Sequence, residues 1–239
     1  MSTNSMADVS GSQIVRESLR SRFGLLAVTL VVAIILPTIL PHARIISILF
    51  TALSTTVLLS GLYAVATDRK HFITGVVLIL PAMMADWGSK AVESHILQAV
   101  GVGFSVLFLA YVGWMVFLHI LAARRVDVDI IFAAISLYLL IGFICASLYY
   151  AIELFAGDPS ISTTFTGNFG IGPPRVETVY YSFVTLTTLG YGDIAPIAQP
   201  TRALAILEAL TGQIFLVTLM ARLVSLHVAH SGLTSTSQV

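Results

Sequence analysis

The chain has one cysteine, Cys145, set in an apolar run, so neither an intrachain disulfide nor a cysteine metal cluster can form. Charge is scarce as well. Only 10% of the 239 residues are charged, against about a quarter in soluble domains, and twelve basic residues balance twelve acidic ones to a formal net charge of zero. That balance leaves no basic stripe for nucleic acid, which is excluded as a partner. Hydrophobic residues make up 57% of the chain and the mean hydropathy is +0.94. An ordinary soluble domain is therefore excluded, and the chain reads as an all-α membrane protein in contact with lipid.

Crossing a hydrocarbon layer of about 30 Å takes roughly 20 helical residues. Six uncharged apolar runs approach that length, at 23–40, 45–66, 72–85, 96–123, 130–152 and 203–221, the last interrupted only by Glu208. The third is short and holds Pro81. A further stretch at 178–189 has the length of a re-entrant segment that enters and returns. Arg16, Arg20 and Arg22 precede the first run, so no cleaved leader is expected. With a cytoplasmic N-terminus, eight basic residues fall inside (Arg16, Arg20, Arg22, Arg69, Lys70, Arg124, Arg125, Arg222) and four outside (Arg44, Lys90, Arg175, Arg202). The expected placement is multi-pass in the cell membrane with both termini cytoplasmic.

Four regions follow. Residues 1–22 form a cytoplasmic segment, where Ile14, Val15, Leu19 and Phe23 share one side of a potential interfacial helix, although a solvated basic tail reads equally well. Residues 23–123 form a four-helix membrane domain, residues 124–229 a second membrane domain, and residues 230–239 a short tail. The Gly, Ser, Thr and Pro cluster between Glu153 and Arg175 reads as an irregular outer loop.

The chemistry is carried by Thr187-Thr188-Leu189-Gly190-Tyr191-Gly192-Asp193, which follows an apolar helical pattern over 176–187 and precedes the last run. Irregular backbone at membrane depth is tolerated only where it is buried in protein or lines a water-filled path. Alternate glycines allow φ values that turn successive carbonyls to one side, which makes a ladder of oxygens. Four ladders about an axis would replace the hydration shell of a dehydrated cation, and one chain supplies one ladder, so a homotetramer is expected.

This run resembles the signature of the potassium channel family, Thr-Val-Gly-Tyr-Gly followed by Asp, across the two last spans and the loop between them. The resemblance implies K+ coordination by the carbonyls of Thr188, Leu189, Gly190 and Tyr191 together with the Thr188 hydroxyl, with Gly192 completing the filter. It implies permeant K+ and no organic cofactor. It also implies filter support from Thr187 and Asp193, with Tyr180 standing where a pore-helix aromatic residue bonds the aspartate. Val184 stands where some members bury a glutamate behind the filter. The architecture implied is six transmembrane helices, with a re-entrant pore helix and filter between the fifth and sixth, in a four-fold tetramer.

In the last run Gly212 matches the family's hinge glycine, and close packing against the pore helix is an equally good reading. Helical spacing puts Gln213, Val217, Met220 and Val224 along one stripe, with Leu216 as a substitute for Val217, as cavity and gate lining. Glu208 is the one carboxyl within this run, and bracing of the filter through Thr185 or Ser182 is preferred to pH sensing.

The fourth run contains no lysine or arginine, although the six-span plan resembles voltage-gated channels. Little or no voltage sensing is expected, because a sensor works by moving several charges at about 2.3 kcal/mol each per 100 mV. His42, His71, His95 and His119 share no metal-ligand spacing, and Asp86 sits at an outer membrane boundary. The gating stimulus is left open: a leak pathway, or gating by lipid tension, pH or an unseen regulatory partner. Gly190-Tyr191-Gly192-Asp193 also matches the Gly-x-Gly-Asp pattern of intramembrane aspartyl proteases, but the Tyr-Asp pair that carries their second carboxylate is missing. A weakly selective cation channel is the other alternative.

Overall fold

The computed structural model describes residues 22–39, 43–66, 68–92, 94–123, 127–155, 161–163 and 174–235. The elements are α1 (Arg22–Ile39), α2 (Ala43–Val65), α3 (Arg69–Val92), α4 (His95–Ala122), α5 (Val128–Phe155), β1 (Ile161–Thr163), α6 (Pro174–Leu186), β2 (Ile194–Pro196) and α7 (Gln199–Ser235). Four helices contain windows long and apolar enough to cross a membrane, at Arg69–Ser89, Ile96–Ala122, Val128–Phe155 and Gln199–Leu219. Two more apolar stretches, Arg22–Pro37 and Leu49–Val65, are shorter as described. The expected 1–22 interfacial helix lies outside the described residues, apart from Arg22, which opens α1.

Helix ends follow local chemistry. Ser94 caps α4, its hydroxyl accepting from Leu97 N at 3.4 Å, and Asp127 caps α5 by accepting from Ile130 N at 3.0 Å. Two boundaries read from the sequence fall inside helices. The apolar run at 72–85 lies within a 24-residue helix that continues through Pro81. Counting apolar residues stopped at Asp86, whereas that side chain is 9% exposed and tucked inside the protein. The boundary at 229/230 also falls inside α7, which runs unbroken for 37 residues, about 56 Å at 1.5 Å each.

Helix α5 is the hub, touching α1, α4, α6 and α7. In its apolar window 56% of residues are buried, against 11% for α7, so α5 is the central post and α7 the open flank. The core is built from Leu26 and Leu30 of α1, Phe108, Val112 and Val116 of α4, and Leu140 of α5, each fully buried. Polar cross-links among the described residues include Thr29 with Ser60 at 2.8 Å, Tyr111 with His71 at 2.8 Å, and Ser136 donating to Phe23 O at 3.1 Å. The four-helix unit thus packs on α5 of its own chain, through α1 and α4.

One feature of the 153–175 loop was not expected. Ile161–Thr163 pairs antiparallel with Ile194–Pro196, placing Thr163 opposite Ile194 and Ile161 opposite Pro196. Ile161 and Thr163, both β-branched, suit such a strand. It fastens the loop to the chain immediately after Asp193.

Candidate functional site

The site begins where α6 ends. Leu189 N donates to Val184 O at 3.0 Å and Thr188 N donates to Thr185 O at 2.9 Å. This is the paired 6→1 and 5→2 pattern of a Schellman motif, with Thr188 at the position that glycine usually fills. Thr188 indeed has φ +58°. A β-branched residue in the left-handed region costs roughly 1–2 kcal/mol, so surrounding contacts must hold it there. Gln213 of α7 supplies one, its Nε2 donating to Thr188 Oγ1 at 3.2 Å.

Left-handed φ recurs at Gly190 (+53°) and Gly192 (+78°), and Leu189 and Tyr191 between them are not left-handed. The backbone therefore alternates in handedness through the five residues 188–192. A Cβ added at Gly190 or Gly192 would meet nothing within 4 Å in the single chain. Glycine is present there for its φ and not for space.

The helix leading in is 13 residues long, Pro174–Leu186 in place of the expected 176–187, and is too short to cross. Its last carbonyls are satisfied. Thr187 Oγ1 donates to Phe183 O at 2.6 Å, and Tyr138 of α5 donates to Leu186 O at 3.2 Å. Gly190 N reaches Val184 O at 3.4 Å. Val184 thus contributes its carbonyl to the bend, a role that sequence comparison at side-chain level could not suggest.

Beyond the bend, the Tyr180 hydroxyl donates to Asp193 Oδ2 at 2.6 Å, so the structure brings those two together. Ile194 N donates to Asp193 Oδ1 at 3.0 Å, and Arg202 Nε donates to Pro196 O at 3.1 Å. The far end of the segment is held by α6, β2 and α7 at once.

Glu208 of α7 is 1% exposed and reaches both neighbouring helices. Its Oε2 accepts from the Tyr149 hydroxyl of α5 at 2.7 Å, and its Oε1 pairs with Ser182 Oγ of α6. Of the two expected partners, Ser182 is the one seen on Glu208 among the described hydrogen bonds. Tyr149 was missed because nothing in the sequence sets the rotation of α5 relative to α7. A buried carboxylate with hydroxyl partners on two helices fixes their spacing, since an unpaired buried acceptor is costly.

Gly212 is packed rather than open. A Cβ built there would lie 2.6 Å from Leu186 O and 2.9 Å from Leu186 Cδ1, so α7 passes the end of α6 at backbone contact. Of the expected stripe, Gln213 meets Thr188 while Leu216, Val217 and Val224 are exposed, Val217 at 67%. The Met220 side chain lies outside the described ones. Lower on α7, Arg222 donates to Leu121 O at 2.7 Å and Ala123 O at 3.4 Å, tying this helix to the end of α4.

Leu189 and Tyr191, at 57% and 67% exposed, sit uncovered in the single chain, as do Ile206, Leu210 and Ile214 of α7. Among the described residues no cluster of three His, Cys, Asp or Glu could hold a metal. The described partners of Asp193 include a phenol and an amide.

Residues 130–228, which span α5 through most of α7, match the family model described as Ion channel. A stretch of 50 residues is 46% identical to the two-pore potassium channel 4 of Arabidopsis thaliana, covering 21% of this chain and 18% of that one. The chain therefore spans less than a fifth of that relative's length. The matched region is thus similar to an ion channel domain, and it is set among several apolar helices suited to a membrane. Together the two matches support likeness to ion channels of the potassium channel kind.

Proposed function

We propose that the chain is the subunit of a potassium-selective channel that conducts K+ passively, works as a homotetramer, and has little or no intrinsic voltage sensing. The observation that carries this reading is the handedness alternation at Thr188, Gly190 and Gly192 within Thr-Thr-Leu-Gly-Tyr-Gly-Asp. Alternating left- and right-handed residues gather N–H groups on one side of a strand and leave the carbonyls to the other. With four copies around an axis, the carbonyls of 188–191 and the Thr188 hydroxyl would substitute for the water around K+.

Several features support the details. The uncovered apolar faces of α7, Leu189 and Tyr191 suit burial by neighbouring subunits and lipid. The end of α6 carries the negative end of its dipole, which favours a cation below the filter. Helices α1 to α5 and α7 are taken as six crossings with both termini cytoplasmic, and α6 as the re-entrant pore helix. Residues 23–123 act as a scaffold, since α4 bears no lysine or arginine to move in a field. Tyr180, Asp193, Glu208 and Ser182 brace the filter. Gln213, Leu216, Val217 and Val224 line the inner path, and Arg222 holds its lower wall to α4.

The test is flux into liposomes under a potassium gradient, with sodium as control and Gly190→Ala as the inactive variant. Barium-sensitive flux selective for potassium supports the reading. Equal sodium flux would leave a weakly selective cation channel, and no flux from the folded protein would overturn both.

A further inference from the structure

Four polar side chains interrupt the last apolar run: Glu208, Thr211, Gln213 and Thr218. Two of them are settled within their own helix, Thr211 Oγ1 donating to Leu207 O and Thr218 Oγ1 to Ile214 O, each at 2.7 Å. Glu208 is held by Tyr149 of α5 and Ser182 of α6. Gln213 differs from all three. A polar group at membrane depth is costly unless it is bonded, and the described partner of this amide is Thr188, the residue that opens the ladder.

Both ends of this contact are fixed by backbone. On α7, the preceding residue Gly212 passes Leu186 O so closely that a Cβ there would lie 2.6 Å from it, which sets the height of Gln213 against the end of α6. Leu186 O is itself held by Tyr138 at 3.2 Å. On the other side, Thr188 stands two residues beyond Leu186 with φ +58°, a conformation that a β-branched residue leaves unless its neighbours restrain it. Gln213 Nε2 donates and Thr188 Oγ1 accepts at 3.2 Å, so one lone pair of the hydroxyl oxygen is taken and the side-chain torsion is fixed. The second lone pair is left for an ion. An ion smaller than K+ draws its oxygens inward, and an oxygen tied back to α7 resists that shift.

We propose that Gln213 is a positioning residue that sets the preference for K+ over Na+, by holding the Thr188 hydroxyl oxygen at its place in the ladder. This deepens the channel reading and rests on it. Lining the inner path is a property that Gln213 shares with Leu216 and Val217; the hydrogen bond to Thr188 sets it apart. An amide one methylene shorter keeps the polarity of the path and loses the reach.

The experiment is liposome flux through the full chain, read as the ratio of K+ to Na+ flux for wild type, Gln213→Met and Gln213→Asn, with thermal unfolding as the check on folding. Both variants should lower the ratio by about two- to tenfold, the range that a single hydrogen bond gives, with unfolding near wild type. In the Thr188→Val background, which has no hydroxyl to hold, Gln213→Met should change the ratio no further. A wild-type ratio in Gln213→Met overturns the proposal. So does a wild-type ratio in Gln213→Asn, which would assign the effect to the polarity of the path. A drop of equal size with and without the Thr188 hydroxyl would mean that Gln213 acts elsewhere, and also overturns it. Each of these results leaves the channel reading intact. Should Gln213→Met fail to fold, Gln213→Asn decides. Wild type that passes K+ and Na+ equally, or neither, overturns the channel reading and this proposal with it.

Discussion

Gly212→Ala separates two roles for this glycine by the sign of its effect. If the residue serves only as a flexible point in α7, alanine improves helix propensity and stabilises by up to about 1 kcal/mol. The packing geometry requires the opposite. The added Cβ would sit 2.6 Å from Leu186 O, a backbone atom that also accepts from Tyr138, so it cannot step aside as the end of a side chain could. Overpacking of this kind costs about 1–3 kcal/mol, and a contact this close belongs at the upper end, leaving a net loss of about 2 kcal/mol after the propensity gain. The contrast is Gly142→Ala, whose Cβ would have the Phe183 ring as its nearest neighbour, at 2.6 Å, and a ring can tilt. Thermal unfolding of the detergent-solubilised protein should show a clear loss for Gly212→Ala and a smaller one for Gly142→Ala. A Gly212→Ala variant as stable as wild type or more so, with unchanged conduction, would refute the close-approach reasoning.

Other substitutions test the braces. Glu208→Leu leaves the Tyr149 hydroxyl without its acceptor, while Ser182 Oγ keeps Gly142 O at 2.7 Å, and should cost about 1–3 kcal/mol in thermal unfolding, whereas Glu208→Gln, which can both accept and donate, should stay near wild type. Tyr180→Phe removes the 2.6 Å bond to Asp193 and should shorten sustained potassium current in single-channel recordings without preventing assembly. Thr188→Ser keeps the hydroxyl and should preserve selectivity; Thr188→Val, isosteric in shape, should lower potassium flux while leaving folding intact. Burial, with the nearby Glu153 carboxylate adding to it, raises the pKa of Glu177 at the start of α6, a helix that does not cross. Its contribution to stability is therefore full below the ordinary glutamate range and is lost as pH rises through the raised folded value. Glu177→Gln should be more stable than wild type at neutral pH and should flatten the pH dependence of unfolding there.

Much of this molecule was legible in its sequence because bilayer thickness and backbone chemistry act locally. Uncharged runs located the apolar helices, and two glycines spaced by one residue after a helical pattern located the irregular segment. The same counting truncated α3, since an apolar-run rule treats Asp86 as an end although tertiary burial accommodates it. The left-handed Thr188 was not legible, because local preference argues against it and only the hydrogen bonds to Val184 and Thr185, with Gln213 beside it, hold it there. Tyr149 as a partner of Glu208 and the strand pairing of 161–163 with 194–196 depend on contacts between residues far apart in sequence, which periodicity does not encode.

The most direct measurement is an electron density map of the purified particle in potassium at a resolution that shows main-chain carbonyls. Four copies related by rotation, with the carbonyls of 188–191 converging on discrete density along the axis that weakens when sodium replaces potassium, is the predicted result. Residues 188–192 coiled into a helix, or arranged without rotational symmetry and with no density between them, would contradict it.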